Sequence, residues 1–155
     1  LKKKSAEIRF SIYGDARNSD YLEQVSKLIR TEGLSNVVLL MGKTNRVLEV
    51  YKKIDILFLI SDYEGFSNVI SEALASGLPV ITSAIPENEY LVEDGVNGFV
   101  VNHKDVASIA NGIEKFINLP IASKRNMSVN NRIKAESIFD MHSLYMSYRD
   151  LIDKL

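Results

Sequence analysis

The stretch Ser61-Asp62-Tyr63-Glu64-Gly65-Phe66-Ser67-Asn68 combines residue types that can do chemistry. It follows the apolar run Ile56–Ile60, which reads as a buried strand, and leads into a helix expected from Ser67 to Ser76 and closed by Gly77. A helix N-terminus behind a glycine offers unpaired N–H groups and a partial positive charge, which suits phosphate. Gly65 permits close backbone approach, and Ser67 can cap the helix or offer its hydroxyl to a ligand. Two carboxylates frame this opening: Glu64 in the loop and Glu72 on the helix. Glu72 stands roughly 7.5 Å along the axis from Ser67, at about 1.5 Å per residue. That offset matches the distance from a nucleotide diphosphate to its ribose. A carboxylate has two acceptor oxygens and can take both hydroxyls of a vicinal diol. Glu64 can do the same for a sugar beyond the phosphates. The same pair also reads as a solvated loop Glu and a surface helix Glu, and spacing alone does not decide.

The surrounding elements alternate. Glu7 to Gly14 reads as a strand, and Ser19-Asp20 with Glu23 opens an amphipathic helix through Leu22, Val25, Leu28 and Ile29 that stops at Gly33. Val37 to Met41, ended by Gly42, reads as a strand buried on both faces. Val47, Leu48, Tyr51 and Ile54 have helical spacing. Beyond the loop, Pro79-Val80-Ile81-Thr82 opens another buried strand. A short helix over Glu87–Val92, a strand at Gly98–Val101 and a helix capped by Asp105 and stopping before Pro120 follow. The pattern predicts an α/β, Rossmann-like, doubly wound parallel sheet with right-handed crossovers. Residues 121–155 are expected to form a helical tail, with an apolar stripe at Met141, Leu144, Tyr145, Tyr148 and Ile152 that reads as packing, partly exposed. In such a sheet, ligands bind beyond the carboxyl ends of the strands.

Composition bounds the function. The 155 residues suit one domain, with 46% apolar and 25% charged side chains. Nineteen Lys and Arg against 20 Asp and Glu give a net charge of −1, which excludes a general nucleic-acid coat. The absence of Cys excludes disulfides, thiolate metal sites and Cys nucleophiles, and fits a reducing compartment. No apolar run reaches the ~18–20 residues of a membrane span. Lys2, Lys3 and Lys4 precede no apolar region, so they do not read as a signal peptide; a solvated end is the plainer reading, weak attraction to anionic membrane the other. The abrupt start at a strand reads as a piece of a longer protein.

Glu64-Gly65-Phe66-Ser67-Asn68-Val69-Ile70-Ser71-Glu72 through Ala75-Ser76-Gly77-Leu78-Pro79-Val80 resembles the signature of a large glycosyltransferase family. That family is the retaining GT-B enzymes of family 4, glycosyl transferases group 1. Its mark is two Glu separated by seven residues, then a helix ending Ala-x-Gly-x-Pro-Val. Ile12-Tyr13-Gly14-Asp15, Val37 to Gly42, Tyr51 to Ile56 and Glu93 to Phe99 resemble its other elements in matching order, over roughly residues 7–117. The resemblance implies that residues 1–155 are a nucleotide-sugar-binding domain, the C-terminal half of a two-domain enzyme whose N-terminal half binds acceptor. It implies that Glu64 contacts the transferred sugar and Glu72 the ribose. Backbone N–H groups of Phe66, Ser67, Asn68 and Val69, behind Gly65, would hold the diphosphate and its sugar, and Lys43 and Thr44 would lie against the base. The implied donor is a nucleoside-diphosphate sugar and the implied acceptor a glycan or lipid-linked glycan. No metal and no cofactor are expected, because the helix end and basic side chains offset the leaving charge. The implied location is cytoplasmic, with peripheral contact of the whole enzyme at the inner face of the membrane. This chain alone is expected to be inactive. It departs from the family pattern in three places. The Arg and Lys that usually pair with the diphosphate belong to an earlier strand-loop-helix, Ser83 to Tyr90 lacks the common Gly-Gly pair, and the usual acidic residue before the Glu93-Asp94-Gly95 turn falls near Tyr90, with Glu89 one place off.

Other features carry less. Asp62-Tyr63-Glu64 resembles a D-x-D metal motif, but Glu64 is better explained by its partner Glu72. Gly14-Asp15-Ala16 is not a dinucleotide fingerprint, and there is no P-loop. His103 and His142 read as surface or turn residues. Asn126-Met127-Ser128 fits a glycosylation sequon that the absence of Cys argues against. Two alternatives to transfer stay open at this point: a nucleotide-sugar epimerase of the same fold, and a non-catalytic nucleotide-binding module.

Overall fold

The computed structural model describes residues 8–15 and 19–152. The chain divides into two compact units between Val47 and Leu48. Lys2–Lys4, Glu7 and Ala16 lie outside the described residues.

The first unit holds β1 (Phe10–Tyr13), α1 (Ser19–Thr31) and β2 (Val38–Gly42). β1 and β2 pair in parallel, Phe10 opposite Val38 and Ile12 opposite Leu40, with a register shift before Tyr13. α1 ends where the sequence places Gly33. The expectation that β2 is buried on both faces is corrected: Leu39, Leu40 and Met41 are exposed. A strand is buried on both faces only when a layer covers each. Two strands and one helix are too few layers to do so.

The second unit begins within α2 (Val47–Tyr51) and continues through β3 (Leu57–Leu59), α3 (Asn68–Ala75), β4 (Val80–Ser83) and α4 (Pro86–Leu91). β5 (Gly98–Val101), α5 (Val106–Asn118), α6 (Ile121–Ile138) and α7 (Met141–Ile152) complete it. β3, β4 and β5 form a parallel sheet in that order. Leu57 sits opposite Val80, and Val80 opposite Gly98. β4, the middle strand, is buried throughout, whereas β3 at the edge is only half-buried, short of the burial expected of it. Helices cover both faces. Ile81 packs with Phe116 of α5 and Met127 of α6. Its neighbour Thr82, on the opposite face, accepts a hydrogen bond from Asn88 of α4 at 2.7 Å. The fold is thus the α/β, Rossmann-like arrangement expected, with a helical C-terminal region.

Local chemistry explains the boundaries. Asp105 accepts the Ala107 N–H at 2.9 Å and starts α5. α3 ends in a Schellman turn: Gly77 N–H bonds Leu74 O at 2.9 Å and Leu78 N–H bonds Ala73 O at 2.8 Å. Gly77 takes φ +69° there, which favours glycine. Gly98 is required for space instead: a Cβ would fall 2.1 Å from Val80 O. α6 is polar, yet its Asn131 is fully buried and donates to Leu78 O at 3.1 Å and Asn97 O at 2.9 Å. It ties α6 to the turns before β4 and β5. In α7, Met141, Tyr145 and Ile152 are exposed, so that part of the apolar stripe is uncovered within this chain. No described helix is long and apolar enough to cross a membrane.

Candidate donor site

The site is built at the carboxyl end of β3. Ser61 N–H donates to Ser83 Oγ at the end of β4, 2.8 Å away, which joins the tips of two strands. The Ser61 hydroxyl then donates to Glu64 Oε1 at 2.7 Å. Glu64 is half-buried, and this relay from Ser83 through Ser61 fixes its direction. Three residues after Glu64 comes the helix cap. Ser67 has extended backbone (φ −76°, ψ 104°), is buried, and its Oγ accepts the Ile70 N–H at 3.4 Å. Its carbonyl accepts the Ser71 N–H at 3.0 Å, the first bond of α3. Asn68 and Val69 therefore keep N–H groups with no acceptor among the described residues, as the first turn of an α-helix must. These groups and the aligned peptide dipoles give the opening about half a positive charge.

Phe66 stands between Gly65 and the cap. Its ring meets Phe139, just past the end of α6, edge-to-face with centroids 6.1 Å apart and planes at 86°. This is the favoured geometry for an aromatic pair.

Glu72 lies one turn further along α3 on its exposed side. Its Oε2 is 3.2 Å from the Tyr51 hydroxyl, which is also 3.3 Å from Val69 O. Tyr51 closes α2 and is buried, at 7% exposure. Burial, then the negative charge of Glu72 and the hydrogen bond to it, hold this phenol well above the ordinary tyrosine range. It remains a neutral donor at physiological pH.

The structure thus brings Glu64, Gly65, Phe66, Ser67, Asn68, Val69 and Glu72 onto one loop and the helix it opens. Lys43 and Thr44 belong to the first unit. There Lys43 Nζ pairs with Asp15 Oδ2 at 2.6 Å, and Thr44 Oγ1 accepts the Arg46 N–H at 3.0 Å. Sequence reasoning missed two partners. One is Tyr51, read as part of a helical spacing and of a family element, but not as a partner of Glu72. The other is His103, which sits in a turn as expected but with its side chain only 14% exposed, its Nε2 being 3.1 Å from Asp62 Oδ1. That pair is close enough for ionic attraction but not aligned for a hydrogen bond. Asp62 turns to His103 while Glu64 turns to Ser61, so the acids of Asp62-Tyr63-Glu64 have separate partners. A hollow of about 480 Å³ in the second unit lies at the amino end of β4 beside Leu78, Pro79, Lys124 and Arg125. Neither Glu64 nor the α3 opening lines it.

Residues 1–134 match the model of the family Glycosyl transferases group 1. The chain belongs to this family. It is 30% identical over 121 residues to an uncharacterized glycosyltransferase of Haemophilus influenzae, covering 77% of this chain and 33% of that protein. It is 30% identical over 118 residues to the Escherichia coli UDP-Gal:alpha-D-GlcNAc-diphosphoundecaprenol alpha-1,3-galactosyltransferase, covering 73% of this chain and 30% of that one. The chain therefore spans about a third of the length of these curated relatives. Among solved structures, Anabaena HepE in complex with UDP-glucose superposes with a TM-score of 0.85 at 25% identity, covering 97% of this chain and 42% of that one. In this group 1 chain the α3 opening and its flanking acids lie within the matched residues.

Proposed function

We propose that this chain is the donor-binding part of a two-domain glycosyltransferase. The enzyme moves a sugar from a nucleoside diphosphate to a glycan or lipid-linked acceptor. The observation that carries the reading is the Ser67-capped opening of α3, with unpaired N–H groups at Asn68 and Val69 and a carboxylate on either side. The diphosphate sits at this opening, where N–H groups and the helix dipole offset its charge without a metal. Glu72 takes the ribose hydroxyls, and Glu64, aimed by Ser61, contacts the transferred sugar. HepE, bound to UDP-glucose, gives a precedent for such a donor. Lys43 and Thr44 remain assigned to the base on the family resemblance alone.

Transfer proceeds with retention. The bond from the anomeric carbon to the phosphate oxygen breaks, and a bond to the acceptor oxygen forms on the same face. The acceptor's proton goes to the leaving phosphate oxygen, so no side-chain base is assigned. The acceptor is held by an N-terminal domain, and the chain by itself does not turn over.

Calorimetric titration of UDP and GDP into the full-length protein tests this. Glu72→Ala removes charged hydrogen bonds worth about 2 kcal/mol, or roughly 30-fold in Kd. Unchanged nucleotide affinity in that variant defeats the ribose assignment.

A further inference from the structure

We propose that Tyr51 is a positioning residue whose hydroxyl sets the Glu72 carboxylate in the orientation that receives the ribose diol. The inference rests on the ribose reading of Glu72. Tyr51 and Glu72 are 21 residues apart in sequence, on α2 and α3, and meet through one atom each: Tyr51 Oη and Glu72 Oε2, 3.2 Å apart. The phenol has a single proton and two acceptors in reach, the carboxylate and Val69 O at 3.3 Å. The carboxylate is the stronger acceptor because it is charged. Val69 O belongs to the first turn of α3, so the buried hydroxyl lies between the helix opening and the acid one turn on, and its one proton goes to the acid.

The geometry leaves the carboxylate usable. Glu72 Oε1 has no partner among the described residues, and Oε2 keeps a second lone pair beside the phenol. Two vicinal hydroxyls can therefore be accepted while the phenol stays in place. An unbraced Glu on an exposed helix face spreads over several rotamers, and binding must then restrict them. Tyr51 restricts them before the ligand arrives. Its own ring is held by burial, at 7% exposure. The phenol's resistance to ionisation keeps it a donor to an anion over the whole physiological range.

A purely structural tyrosine would act through its ring. Tyr51→Phe keeps the ring and removes the hydroxyl, and ligand chemistry separates the two roles. UDP and GDP are each titrated into full-length protein beside their 2′,3′-dideoxy analogues, which lack the diol. Thermal unfolding is recorded for every variant. The expected result is that Tyr51→Phe weakens the ribonucleotide by about tenfold, one hydrogen bond's worth, and leaves the dideoxy analogue unchanged. The ribose preference shrinks accordingly. Adding Tyr51→Phe to Glu72→Gln then costs nothing further. A Tyr51→Phe protein with wild-type ribose preference overturns the role, and so does one that weakens both ligand types equally. Unchanged ribose preference in Glu72→Gln alone removes the underlying ribose reading as well, which tells the two failures apart.

Discussion

Gly65 offers a sharp test, because nothing in the folded protein demands a glycine there. Its φ lies outside the left-handed region, and a Cβ built on it meets no atom within 4 Å. Gly65→Ala should therefore fold normally, with stability changed by no more than about 0.5 kcal/mol. The ligand sees a different surface. A phosphate oxygen bonded to the neighbouring N–H groups sits about 2.9 Å from nitrogen, whereas a methyl carbon keeps oxygen at about 3.5 Å. A methyl facing the diphosphate has to push it outward by several tenths of an ångström. Overpacking of that kind costs about 1–3 kcal/mol. The expected result is roughly a 5- to 150-fold rise in the Kd of UDP or GDP. Gly77→Ala is the control: at φ +69°, and 3.3 Å from Ser128 O, a methyl there should cost about 1–2 kcal/mol of stability. Calorimetry and thermal unfolding of the full-length protein read both quantities. A Gly65→Ala protein that unfolds several degrees early while binding nucleotide as well as wild type would refute the reasoning, since the pattern would be reversed.

Two further outcomes follow from the same fold. Gly98→Ala places its Cβ 2.1 Å from Val80 O and 2.8 Å from Val92 Cγ1, inside the β4–β5 pairing, so it should cost about 3 kcal/mol in denaturant unfolding; a loss under about 1 kcal/mol would contradict that close approach. Tyr51 titrates higher folded than unfolded, so its contribution is fully present below the unfolded value near pH 10 and is lost as pH rises from there toward the folded value. Tyr51→Phe should flatten the fall in Tm between about pH 9.5 and 11, and an identical alkaline limb in both proteins would deny the raised phenol.

Elements with local signals were legible from the sequence. α3 runs from its Ser67 cap to Gly77, α5 starts after Asp105, and β5 occupies Gly98–Val101 as expected. In each case the boundary is set by residues within a few positions, through a cap or a left-handed turn. What depends on distant partners was not legible. The run Val37 to Met41 reads as buried because apolar character does not reveal how many layers cover it. Asn131 reads as a polar helix residue, yet it is buried because two turn carbonyls from distant parts of the chain converge on its amide. At the site, the two acids and the helix opening were visible as a spacing, whereas Tyr51 and His103 belong to it only through folding. A tyrosine spaced like a core residue gives no sign that its hydroxyl ends on a carboxylate.

The ring of Phe139 against Phe66 bears on where this protein can be cut. The family match ends at residue 134, before that ring, so trimming to the match would strip the glycine loop of its aromatic backstop while leaving every signature residue in place. A shortened protein that loses nucleotide would then report a missing buttress, and say nothing against the acids themselves.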